Sequence, residues 1–155
     1  MKITNYPERN PRATYHIGLL HGFSEGLESE HGHYAPFTVA ELRSKKYDYW
    51  ALGHIHKRQH LAENPPIVYP GNTQGRSNKE SGDKGFELVN ITESGVTTEF
   101  CSTAVIQWKT IELSVKEMKN LDTVYKALKT VIEEQQNELY SLFLSIRLTD
   151  NEHLL

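Results

Sequence analysis

The spacing of apolar and polar positions changes several times along the chain, and each change marks an element. Tyr15 to Leu20 is a short apolar run that stops at His21-Gly22, the pattern of a buried strand opening into a loop. From Gly22 to Pro36 glycines at 22, 26 and 32 stand among Glu, Ser and His without periodicity, so a loop is expected. Thr38-Val-Ala-Glu41 has the form of a capping box and predicts a short helix from about Val39 to Lys46. Tyr47 to Leu52 is again aromatic and apolar, and it runs into Gly53-His54-Ile55-His56. Strand, helix, strand is the βαβ unit, parallel and right-handed by default, and open α/β sheets form their sites at strand C-termini. His21 and the His54/His56 pair are therefore expected on one rim.

Past Pro65-Pro66, the segments Ile67-Tyr69, Phe86-Ile91, Val96-Phe100 and Val105-Leu113 read as successive strands, with Glu93-Ser-Gly95 as a hairpin turn. The middle of the chain is expected to be antiparallel. Capping residues return at Asn120 to Asp122, and Val124, Leu128, Val131 and Ile132 recur at helical spacing to about Gln136. Ser141 to Leu148 alternates, with Leu142, Leu144, Ile146 and Leu148 on one face, as in a half-buried strand. The fold class is thus α/β in the broad sense, α+β in detail. Residues 1 to 12, with Pro7 and Pro11, predict an irregular lead-in that precedes the packed part. The last helix and strand suit a small subdomain with a boundary near Trp108 to Ser114. Trp50 and Trp108 are expected in the core.

Composition narrows the function. The 155 residues suffice for one domain with a real core, and 17 Lys+Arg against 20 Asp+Glu leave no global basic field for wrapping nucleic acid. The lone Cys101 excludes an intramolecular disulfide framework and a multi-Cys zinc site, and fits a reducing compartment. The start of the chain lacks a signal-peptide apolar region, and no window approaches the roughly 18 apolar residues of a membrane span, so a cytoplasmic protein without a membrane partner is expected. Histidine is the uneven residue: seven of the eight fall within the first 60 positions.

The sharpest constellation is Gly53-His54-Ile55-His56 with His21. Just past a strand end, a His-x-His can serve one metal ion or two neighbouring ones, and imidazole suits first-row divalent ions. Two such ions about 3.5 to 4 Å apart clamp a phosphoryl group and acidify a bridging water into a nucleophile. The same histidines equally suit hydrogen-bonded loop positions, and spacing alone does not decide between the two. Asp48 is the nearest carboxylate to the pair and lies on a strand, where a structural role is expected. Gly22-Phe-Ser-Glu-Gly26 satisfies the G-x-S-x-G pattern of α/β-hydrolases, but the residues after it lack the helical periodicity that a nucleophile elbow needs. No P-loop or H-E-x-x-H motif occurs. Lys57, Arg58 and Arg76 are cations that would hold phosphates beside a metal site, or else are solvated loop charges.

Taken together, Ile17-Gly-Leu-Leu-His21, Tyr34-Ala-Pro36, Tyr47-Asp-Tyr-Trp-Ala-Leu-Gly-His-Ile-His56 and Val68-Tyr-Pro-Gly-Asn72 with Gln74-Gly-Arg76 resemble the C-terminal part of the calcineurin-like metallophosphoesterases. Within that superfamily they are similar to the SbcD/YhaO-type DNA-repair exonucleases. The resemblance runs from about Tyr15 to Leu113. It implies the C-terminal half of a β-sandwich flanked by helices over residues 1 to 110, and the start of a capping subdomain over 111 to 155. It also implies phosphodiester hydrolysis by a hydroxide on a pair of divalent ions, manganese foremost. By that resemblance His21 and His54 bind one ion and His56 the other. His31 matches a histidine common in the closer relatives, with no assigned role, while Asn72, Arg76 and Arg58 would line the site or hold phosphate. DNA and an SMC-like ATPase subunit are the partners implied. The family's Asp-x-His, Gly-Asp and Gly-Asn-His-Asp motifs have no counterpart in this chain, and Ser77 stands where relatives carry a His. The chain is therefore expected to hold half a site without the family's transition-state His, and not to be an efficient nuclease alone. The competing expectation is a non-catalytic module of the same fold that binds a partner or pairs with itself as a homodimer.

Overall fold

The computed structural model describes residues 3–26, 34–136 and 140–151. Its elements are β1 (Ile17–His21), α1 (Val39–Ser44), β2 (Tyr49–Gly53), β3 (Gln59–Glu63), β4 (Pro66–Tyr69), β5 (Gly85–Thr92), β6 (Gly95–Ser102), β7 (Ile106–Ser114), α2 (Leu121–Glu134) and β8 (Ser141–Thr149), with 3₁₀ turns at Ile3–Asn5 and Asn78–Glu80. The fold is α+β. The chain forms two compact units, residues 1–72 with 85–102 and residues 73–84 with 103–155. The expected division at 110/111 falls inside β7.

In the first unit β1 and β2 are parallel, in register from Ile17 opposite Tyr49 to His21 opposite Gly53, with α1 as the crossover. The helix begins at Thr38, whose hydroxyl accepts the Glu41 N–H at 3.2 Å while the Glu41 carboxylate accepts the Thr38 N–H at 2.7 Å, the reciprocal capping box its sequence predicts. It stops as Lys46 takes a φ of +57°. The sheet order is β1-β2-β4-β3, with β4 parallel to β2 and β3 antiparallel to β4. The middle of the chain is therefore mixed rather than antiparallel throughout. β3 was not expected, because Gln59-His-Leu-Ala-Glu63 does not alternate, and its pairing is broken by an irregularity between His60 and Ala62.

Trp50 is fully buried at the centre of this unit, stacked on Tyr47 with ring centres 4.9 Å apart. Gly18 lies opposite it, where a Cβ would come within 2.2 Å of the indole, so β1 reaches β2 only because residue 18 has no side chain. The lead-in packs too, contrary to expectation: Ile3 is buried, and Tyr6 meets Trp50 edge-on and donates its hydroxyl to Leu19 O at 2.5 Å. An apolar ring placed over the core recovers burial energy that outweighs the entropy of ordering an irregular segment. β5 and β6 form the expected hairpin around Glu93-Ser94, with Gly95 at φ +134°.

The second unit holds a second βαβ arrangement. β7 pairs in parallel with β8, from Ile106 opposite Ser141 to Ser114 opposite Thr149, with α2 between them. β7 thus leaves the antiparallel run in which the sequence had placed it. Asn120 caps α2 by accepting the Thr123 N–H at 3.0 Å. Val124 is buried and Leu128 and Val131 are half-buried, whereas Ile132, expected on the same face, is half exposed. Leu142, Leu144 and Ile146 on β8 are half-buried as the alternation predicts. Trp108 is half-buried rather than core, stacked on the exposed Phe143 at 4.6 Å and donating Nε1–H to Gly75 O at 3.0 Å. No helix among the described residues is long and apolar enough to cross a membrane.

Candidate metal centre

The C-terminal ends of β1 and β2 carry the histidines. His21 is the last residue of β1, opposite Gly53, and His54 is the first residue beyond β2. His54 has φ +107°, a conformation that costs a residue with a Cβ of the order of 1–3 kcal/mol. With that turn the His21 and His54 rings lie with centres 5.3 Å apart and planes 79° to each other. Gly53 makes the approach possible: a Cβ there would lie 3.0 Å from His21 Nδ1, so the His21 ring rests against bare backbone. The motif includes this glycine but not the reason for it, which is the strand register that sets it opposite His21.

The loop behind His21 is held on several sides. Gly22 N–H donates to Gly53 O at 3.2 Å, carrying the ladder one step past His21. The Tyr69 hydroxyl, buried on β4, donates to Gly22 O at 2.6 Å and accepts the Ser24 N–H at 3.2 Å. Burial pushes the Tyr69 pKa up to about 12, against a smaller lowering by the Ser24 bond, so the hydroxyl keeps its proton over the working range. The neck of the 22–37 loop is closed by Phe23 N–H to Tyr34 O at 2.9 Å and Phe37 N–H to Phe23 O at 3.1 Å. Tyr34 thereby flanks both imidazoles, 5.8 Å from His21 and 6.3 Å from His54. The rings open into a pocket of about 690 Å³ whose other walls include Tyr6, Leu19 and Ala35.

A ring whose nitrogen sits about 2.1 Å from a metal has its centre about 3.2 Å away, so two such rings at a tetrahedral angle lie about 5 Å apart, as those of His21 and His54 do. Among the described residues no group of three or more His, Cys, Asp or Glu closes on a single point, so His56 does not join that cluster. Its carbonyl accepts the Asn72 N–H at 3.2 Å, which fixes its backbone beside the Pro70-Gly71-Asn72 turn. His31 lies outside the described residues.

The remaining candidates have other partners. Asp48 accepts from Arg9 at 2.8 Å and from the His16 N–H at 2.7 Å, and although burial pushes its pKa up, those two bonds and the Arg9 charge outweigh it and hold the carboxyl below its usual value. That is the structural role expected of it. Arg58 is ion-paired with Glu87 and lies over the Phe100 ring at 4.8 Å. Arg76, in the second unit, is exposed and faces Glu80 at 3.5 Å. The Asn72 backbone bonds His56 and Gly85.

No family model matches the chain. A curated protein of Bacillus subtilis strain 168, the uncharacterized metallophosphoesterase YhaO, is 45% identical to it over 122 residues, which is 78% of this chain and 30% of that protein. The chain thus spans under a third of the length of the curated relative it matches. The likeness supports the metallophosphoesterase family for this chain.

Proposed function

We propose that this chain supplies the histidine side of a two-metal phosphoesterase centre, and that the whole protein hydrolyses phosphodiester bonds in DNA as an exonuclease of the SbcD type. One observation carries the reading: a parallel βαβ unit brings His21 and His54 face to edge at the C-terminal rim, at a separation that suits two ligands of one ion. By the resemblance to the metallophosphoesterase family, His56 is assigned to the second ion. When bound, the two divalent ions, manganese foremost, supply phosphate binding and an acidified water. The protein's part is positional. His21 and His54 present their imidazoles, Gly53 leaves the first ring its room, and Tyr34 and Phe23 flank the second with rings that limit water. The bridging carboxylates of such a centre lie outside these residues, so the 155-residue chain binds metal weakly and turns over little DNA. A cytoplasmic location and an SMC-like ATPase subunit are part of the same proposal.

The test is manganese titration of the chain by electron paramagnetic resonance, with His21→Ala and His54→Ala beside it. Each variant is expected to lose at least about tenfold in affinity, the scale set by losses of outer-shell partners in metal sites. Affinity is also expected to fall as pH drops, because ligating imidazoles must be neutral. Wild-type affinity in both variants overturns the assignment. Manganese-dependent DNA cleavage by the chain itself, abolished by His54→Ala, overturns the incompleteness.

A second reading, a self-associating module, is favoured by β1. That strand is the outer edge of its sheet, with Ile17 and Leu19 exposed on one face at 54% and 72%. A monomer by light scattering at all concentrations removes it.

A further inference from the structure

We propose that Glu87 is a positioning residue for His56, acting through Arg58. His56 stands three residues past β2 in a connection without regular structure, so its place is set by what touches that connection. Two contacts do. Asn72 N–H holds the His56 carbonyl, and Gly71, at φ +78°, packs so closely that a Cβ there would lie 2.8 Å from His56 O and 2.9 Å from Arg58 N. Asn72 O in turn accepts the Gly85 N–H at 3.0 Å, where β5 begins. Two residues on, the side chain of Glu87 is 2% exposed and takes the Arg58 guanidinium, itself 42% exposed. The path closes on itself, from His56 through Asn72, Gly85 and Glu87 to Arg58 and back.

The chemistry of Glu87 argues that this closure is specific. Its Oε1 meets Arg58 Nε and lies 3.5 Å from His60 Nε2, while Oε2 is buried with no hydrogen-bond partner. A buried carboxylate satisfied on one side only is a poor source of stability, and an apolar residue of similar size would serve the core as well or better. What the charge adds is direction. It draws Arg58 inward over Phe100, the residue opposite Glu87 on β6, and Arg58 is bonded through one residue to His56. Arg58 is thereby engaged in holding the connection rather than in holding phosphate.

The importance of this clamp rests on the reading of His56 as a metal ligand; its geometry does not, and the experiment separates the two. In the metal-free 155-residue chain, the imidazole nitrogen and carbon-bound proton resonances of the histidines are recorded for wild type, Glu87→Gln, Arg58→Gln and the double variant, with Glu99→Gln as an outward-facing control. Glu87→Gln and Arg58→Gln are each expected to shift His56 while His21 and His54 stay in place, and the double variant to add nothing to either single one. Unmoved His56 resonances overturn the proposal, as do equal shifts at all three histidines, which would mark a merely structural role. Should Glu87→Gln not fold, Arg58→Gln decides, since it changes only the exposed end of the pair. Manganese is then added. Broadening of His56 that weakens about tenfold in Glu87→Gln, with His21 and His54 broadening unchanged, extends the proposal to metal binding. Absence of His56 broadening in the wild type counts against His56 as a ligand and leaves the metal-free result to judge the clamp.

Discussion

The two βαβ arrangements make a natural pair. β1-α1-β2 and β7-α2-β8 share a parallel register in which the last residue of the first strand lies opposite the last residue of the second: His21 opposite Gly53, and Ser114 opposite Thr149. In both, the next residue is a non-glycine with positive φ, His54 at +107° and Asp150 at +58°. The residues placed on this shared frame differ. In the first unit two imidazoles face each other over a pocket; in the second the Ser114 hydroxyl and the Asp150 carboxylate satisfy each other at 2.6 Å. The topology builds a rim in both places, and only the side chains decide whether the rim is a candidate site or a closed hydrogen bond.

The tryptophans test how unequal the two cores are. Trp50→Ala removes a fully buried ring with Tyr6 and Tyr47 against it, and is expected to cost about 3–5 kcal/mol. Trp108→Ala removes a half-buried ring that stacks on Phe143 and bonds Gly75 O, and is expected to cost about 1–2 kcal/mol. Urea unfolding followed by circular dichroism measures both, and equal losses would break the contrast. Tyr69→Phe comes next: it deletes the hydroxyl that holds Gly22 O and Ser24 N, leaves a buried carbonyl unsatisfied, and is expected to cost about 1–3 kcal/mol in the same experiment.

The ease with which these two arrangements can be read from sequence also differs. β1-α1-β2 stands out because apolar runs bracket a capping box and end abruptly at Gly or His, each a local signal. α2 and β8 are as clear locally, through the Asn120 cap and the alternation of β8. The partner of β7 was not legible, because the hydrophobic pattern of a strand is silent on which neighbour it takes, and a parallel partner 35 residues away looks the same as an antiparallel one nearby. β3 carries too little apolar pattern to declare itself. At the site, the motif reveals the histidines, but the room that Gly53 leaves and the inward pull of Glu87 on Arg58 depend on contacts between distant segments.

The rims themselves can be compared by removing both backbone penalties. His54→Gly relieves a conformation that only glycine adopts freely and is expected to gain about 1 kcal/mol in urea unfolding while weakening manganese binding. Asp150→Gly relieves a milder, left-handed conformation that Asp tolerates, and it loses the bond to Ser114, so its net change is expected near zero. A loss at His54 would show that His54 holds its turn without strain, and equal gains at the two positions that it is no more strained than Asp150.

The smallest expected effect is at the opposite ends of the same strands, where the units differ in acid sensitivity. The β7–β8 start is closed by neutral groups: Ser141 N–H donates to Val105 O at 2.9 Å, and the Gln74 side-chain amide accepts the Val105 N–H at 3.1 Å and donates to Ile106 O at 2.6 Å. The β1–β2 start uses a carboxylate: Asp48 N–H donates to His16 O at 2.9 Å, and Asp48 Oδ2 accepts from His16 N–H and Arg9. Asp48 has its pKa lowered in the folded protein, so between the folded and unfolded values the unfolded chain binds more protons and stability rises with pH. Its contribution is complete above the unfolded value of about 3.9 and is lost as pH falls through the folded one. The carboxylate is about a quarter exposed, at 26%, so solvent screening keeps the effect below those above. Urea midpoints of wild type and Asp48→Asn, taken from about pH 7 to about pH 3, are expected to converge as pH falls. A gap that stays constant over that range would mean that Asp48 holds the strand start by shape and not by charge, and the two units would then meet acid alike.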